Sequence, residues 1–104
     1  MNTGELKALT KIGNSTLIKS IYPMIERIKF NYVEHFGLIL EIIINDPSIT
    51  KDNMYKMGFD PHYLIEIHLK NVIRYLGLEK PPKISGFVIY YLDGEKIADG
   101  LKYF

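Results

Sequence analysis

Three histidines, a group of carboxylates near the C-terminus and the absence of cysteine bound the chemistry open to this chain. His62 and His68 stand six residues apart. A helix brings residues three or four apart onto one face, so these two do not share one. His35 is distant in sequence, and no HExxH spacing occurs. Without cysteine there is no thiolate metal site, no disulfide and no thiol nucleophile. Asp93, Glu95 and Asp99 gather in a stretch that reads as a hairpin, where Asp serves turn chemistry without further function. No acid–base pair or activated nucleophile emerges, and the expectation is a non-enzyme that needs no metal and no cofactor.

The elements that must position any remaining site follow from composition and patterning. With 104 residues, 47% of them apolar and 24% charged, the chain suits one compact domain. The formal net charge of +1 provides no global field toward polyanions. The start lacks the apolar core of a signal peptide. The longest apolar run, FGLILEIII, is interrupted by Glu41 and is far too short to span a bilayer. No membrane is expected, and the expected setting is cytoplasmic.

Along the chain, Glu5–Ile12 and Thr16–Ser20 read as helical, with GNS between them and Ser15 as a cap. From Pro23 onward, Ile25, Ile28, Tyr32, Phe36, Ile39 and Ile43 recur at steps of three or four, which predicts a helix to Ile44. Asn31 and Gly37 are its weak points. Thr50 caps a short helix, Lys51–Met57, closed by Gly58. Asp60 and Pro61 open a longer helix whose stripe Ile65–Leu69–Val72–Leu76 is the expected core face, and Gly77 ends it. EKPPK (Glu79–Lys83) is a polar connector. GFVIYYL, DGEK and IADGLKYF then predict a β-hairpin. The expected fold class is mainly α with a C-terminal β-hairpin. Met24, Val33, Leu38, Leu40 and Ile42 fall outside the main stripe of the Pro23–Ile44 helix. Such a surplus predicts a homodimer through Glu5–Ile44.

The segment SITKDNMYKMGFDPHYLIEIHLKNVIRYLGL, followed by FVIYYLDGEKIADGLKYF, resembles the second and third helices and the wing of ArsR- and MarR-like regulators. That resemblance implies a winged helix-turn-helix: N-terminal helices over 1–44, the helix-turn-helix over 48–78 and the wing over 84–104. It implies a dimeric, sequence-specific DNA-binding transcription regulator whose third helix enters the major groove of double-stranded DNA. His62, Tyr63, Glu66, Lys70 and Asn71 would then form the outward face. Asn71 would read adenine and Lys70 a guanine or phosphate. Thr50 and Lys51 would meet a phosphate at the preceding helix start, and Lys96 at the wing tip would touch the backbone. The alternative is the same fold acting as a protein–protein interaction module without reading DNA. The near-neutral helix and the expected exposure of Leu64 and Ile67 point that way.

Overall fold

The computed structural model describes residues 4, 7, 8, 10, 11, 16–77, 79 and 84–101. Its elements run α1 (Thr16–Ile21), β1 (Ile25–Val33), β2 (Gly37–Ile44), α2 (Pro61–Leu76), β3 (Ile84–Tyr91) and β4 (Lys96–Leu101). The four strands form one mixed sheet in the order β1-β2-β3-β4. Outer pairs are antiparallel and the central pair, β2 with β3, is parallel. Two antiparallel hairpins are thus joined through a parallel centre. The crossover between the parallel strands runs through residues 45–83 and contains α2, as parallel neighbours require a long connection. This is a small α/β domain dominated by strands. The winged helix-turn-helix and the mainly α class are therefore incorrect, and two of the four features behind them are absent.

The first is the Pro23–Ile44 helix, which is instead the β1–β2 hairpin. Its helical spacing has a specific origin. Ile25 pairs with Ile44, but Arg27 pairs with Ile43, so Glu26 is an extra residue in a bulge. The bulge turns Ile25 and Ile28 toward the same side, and both are buried three residues apart. Beyond it the ordinary alternation resumes, with Ile28 opposite Ile42 and Phe30 opposite Leu40. β2 is buried on both faces, so Leu38 to Leu40 and Ile42 to Ile44 form a near-continuous apolar run, as expected of a strand with a parallel neighbour. The apolar surplus credited to an oligomeric helix is largely this central strand. The three-residue turn Glu34–Phe36 closes the hairpin, with His35 in the left-handed region at φ 66°, a conformation His tolerates better than most residues.

The second is the Lys51–Met57 helix, which is a run of turns. Thr50 N donates to Asn53 Oδ1 at 2.6 Å, and Asn53 N donates back to Thr50 Oγ1 at 3.3 Å. This reciprocal bonding starts a helix-like turn that does not propagate. The segment instead drops Ile49, Met54 and Phe59 into the core. Tyr91 Oη donates to Ile49 O at 2.6 Å and holds the loop to the end of β3. The Tyr22 ring meets Phe59 edge-on at 5.5 Å, and its hydroxyl donates to Asp60 O at 3.4 Å. Burial, followed by the nearby charge of Asp60, raises the Tyr22 pKa above its ordinary value, so the hydroxyl keeps its proton as the donor here.

The third feature is present. Asp60 Oδ1 accepts from the His62 and Tyr63 amides, Pro61 occupies the first turn and Gly77 closes α2 at φ 64°. The terminal hairpin is also present, with Gly94 at φ 91° in its turn. Its register shift lies between Ile89 and Tyr90. Thr16–Ser20 is helical as expected. Residues 7, 8, 10 and 11 of the expected Glu5–Ile12 helix are also helical; the other half of that segment, the Ser15 cap and most of EKPPK lie outside the described residues, as do the side chains of Val72 and Leu76. Ser85 occupies a register shift in β3, and its hydroxyl donates to Phe36 O, tying the parallel centre to the first hairpin.

One core lies between the sheet and the layer of α1, α2 and the 45–60 loop. Ile28, Leu40, Ile42, Ile44, Phe87, Ile89 and Ala98 rise from the sheet to meet Ile18, Tyr22, Ile49, Phe59 and Leu64. Among the described residues, no helix is long and apolar enough to cross a membrane.

Candidate functional site

The buried face of α2 decides what the helix can present outward. Its buried positions are Pro61, Leu64, His68 and Asn71, with Ile65, Ile67 and Leu69 half-buried. The stripe is rotated from the expected Ile65–Leu69 line because two polar residues lie inside it. Leu64, expected at the surface, is fully buried. Asn71, the proposed adenine reader, is 8% exposed and lies on the buried side of α2 with Leu64 and His68.

The other candidate residues do not form a constellation. His62 and Tyr63 are exposed on the first turn of α2, and the His62 ring meets Phe87 edge-on at 5.3 Å. Glu66 and Lys70 face each other across one turn at 3.9 Å, so Lys70 already has a carboxylate beside it. Thr50 and Lys51 are exposed at the start of the turn segment. Lys96 pairs with Asp99 at 2.9 Å along β4, so its charge is locally neutralised. Among the described residues, no group of three or more His, Asp or Glu side chains is placed to hold a metal ion.

His68 is the unusual polar group. It is fully buried, and neither ring nitrogen has a hydrogen-bond partner. Its ring lies over Phe30 of β1, with centroids 4.9 Å apart and planes tilted by 33°. Burial depresses its pKa to about 4, because the imidazolium would lose hydration without gaining a counter-charge. His68 therefore serves as a neutral spacer that seats the middle of α2 on the first strand.

What this seam leaves exposed is the outer edge of β1. Among the described residues, no strand pairs with that edge. Natural edge strands are usually blunted by bulges, charges or proline. β1 carries such devices only up to its middle: the bulge at Glu26, the charge of Arg27 and the charge of Lys29, which opens the regular stretch. That stretch runs Lys29–Phe30–Asn31–Tyr32–Val33 in regular register, with Phe30 half-buried and the others exposed. Tyr32 is 44% exposed and Val33 43% exposed, and alternation places them on opposite faces of the sheet. Phe30 and Tyr32 share the helix-bearing face with Leu40 and Leu38, their partners on β2. The result is an unpaired backbone ledge with apolar side chains above and below it.

The sequence reading overlooked this ledge because it assigned the stretch to a helix interior. The available signal was the run FNYV, in which Phe30, Tyr32 and Val33 favour strands and Asn31 is a poor helix residue.

No protein-family model matches the sequence, and no curated protein or solved structure matches it significantly.

Proposed function

We propose that this chain is a non-catalytic protein-interaction module that accepts an extended segment as an added strand along the outer edge of β1. The carrying observation is that edge itself, which no strand among the described residues pairs, which runs in regular register from Lys29 to Val33 and which ends in the exposed pair Tyr32 and Val33. Strand addition takes affinity from main-chain hydrogen bonds and selectivity from alternate side chains. Here one set of incoming side chains would settle beside Phe30 and Tyr32, under the seam with α2, and the other beside Lys29 and Val33. The lack of cysteine suits a reducing compartment, and the reading places the module in the cytoplasm.

Groove reading of DNA by α2 is not retained. It required a preceding helix, which is replaced by turns, and an outward Asn71, which is buried.

The test is a displayed library of random ten-residue peptides selected on the full chain. A selected peptide is then titrated while backbone amide shifts are followed by NMR. The largest shifts are expected at Asn31–Val33, with binding weakened at least tenfold by Tyr32→Lys. Shifts centred on the exposed face of α2, or on the β3–β4 turn, would contradict the proposal.

A further inference from the structure

Resting on the strand-addition reading, we infer that the strand accepted at this edge is β1 of a second copy of the chain, paired antiparallel across a two-fold axis at Asn31. The part of β1 that follows the buried Ile28 is Lys29 to Val33, exposed except for the half-buried Phe30, and Asn31 is its midpoint. An isologous contact is self-complementary, so an edge segment that pairs with its own copy must tolerate its own reversal.

Charge restricts the possible reversals. An axis at Ile28 would set Arg27 opposite the Lys29 of the other copy, and an axis at Lys29 would set that residue against itself. Like charges directly opposite one another disfavour pairing. Around Asn31, Phe30 lies opposite Tyr32 of the other copy, and Lys29 lies opposite Val33. The aromatic pairs form twice, on the face that carries α2. On the other face, the alkyl stem of Lys29 covers Val33 while its ammonium remains in water. Asn31 meets its own copy, with no net charge at the centre. The bulge at Glu26 ends the pairable stretch at one side and the left-handed His35 turn ends it at the other. The arrangement therefore closes on two copies. The chain's formal charge of +1 sets little repulsion against that closure. A ladder this short buries less area than a permanent dimer does, so the association is expected to be concentration-dependent.

The absence of native cysteine makes the register directly testable. Asn31→Cys and Lys29→Cys both alter exposed positions, and circular dichroism checks that each variant is folded. In the inferred register, the two introduced thiols at position 31 are direct cross-strand neighbours. Those at position 29 lie about 14 Å apart along the ladder, at roughly 3.4 Å per residue, beyond disulfide reach. Under mild oxidation at the same protein concentration, Asn31→Cys is expected to form covalent dimer at least tenfold faster than Lys29→Cys. Tyr32→Lys added to Asn31→Cys is expected to abolish that advantage. Equal rates for the two cysteine variants, or an advantage that survives Tyr32→Lys, would overturn the inferred register. Sedimentation of the unaltered chain gives the second readout. A clean monomer up to millimolar concentration overturns self-pairing. If a selected peptide still shifts Asn31–Val33 in that monomer, only the identity of the occupant fails. If it does not, the strand-addition reading fails with it.

Discussion

The sheet ends in two edges that are finished differently. β4 is six residues long, carries the Lys96–Asp99 ion pair on its surface and opposes a register shift in β3. At its far end Gly100 pairs with Phe87, and a Cβ at that glycine would overlap the edge of the Phe87 ring. That edge is short, charged and closely packed. β1 is nine residues long, and its bulge and charges lie at Glu26, Arg27 and Lys29, with none beyond. Its exposed end carries aromatic and β-branched side chains that make no large contribution to the core of the single copy. The contrast separates residues that hold the fold from residues available to a partner, because stability and exposure are distributed oppositely at the two edges.

The largest expected effect comes from beneath β1. His68 is neutral in the folded state, with a pKa of about 4 against an ordinary 6.5. The folded protein resists a proton that the unfolded chain accepts. The associated stability is fully present above pH ~6.5, falls as the pH drops toward ~4 and levels off below that. At 1.36 kcal/mol per pH unit between the two values, the loss is roughly 3 kcal/mol. Urea titrations from pH 7.5 to 4 should show it. His68→Leu should flatten this dependence, and at neutral pH it should not destabilise the protein, because it removes two unpartnered buried nitrogens. A His68→Leu variant with the same acid sensitivity as the parent would place that sensitivity elsewhere.

The next effect belongs to β4. Gly100→Ala must displace the buried Phe87 ring, which also contacts His62. Overpacking of this kind costs about 1–3 kcal/mol, measurable as a lowered urea midpoint at unchanged slope. The smallest effect on stability belongs to the open edge. Tyr32→Lys lies at an exposed position, so unfolding free energy should change by no more than ~0.5 kcal/mol, while strand addition is lost. A Tyr32→Lys variant as destabilised as Gly100→Ala would mean that both edges serve the fold, and the contrast between them would collapse.

These differences also explain how much was legible in the sequence. α2 and the β3–β4 hairpin were readable because their signals are local: the Asp60 cap, Pro61, Gly77 and the Asp93–Gly94 turn act within a few residues. The first hairpin was not readable in the same way. A bulge of one residue and a strand buried on both faces together reproduce a three-to-four-residue spacing, and only the pairing partner distinguishes that from a helix. The Lys51–Met57 segment has helix-like starting chemistry at Thr50 and Asn53, but tertiary contacts of Ile49, Met54 and Phe59 prevail over propagation. On α2 the expected outward residues His62, Tyr63, Glu66 and Lys70 are exposed, but Asn71 lies in the buried stripe beside His68, where a polar side chain mimics a solvated surface. The expected adenine reader was lost to that burial. Asn31 and Tyr32 were read as parts of a helix, so the edge they form had no place in the sequence reading.

The central claim is that β1, not β4, is the edge left open for another strand. Amide hydrogen exchange of the full chain reports both edges in one experiment, in the presence and absence of a synthetic peptide spanning residues 25–34. Peptide addition should slow exchange within Asn31–Val33 at least tenfold and leave Lys96–Asp99 unchanged. Protection of Lys96–Asp99 instead, or no change at either edge, would contradict the account.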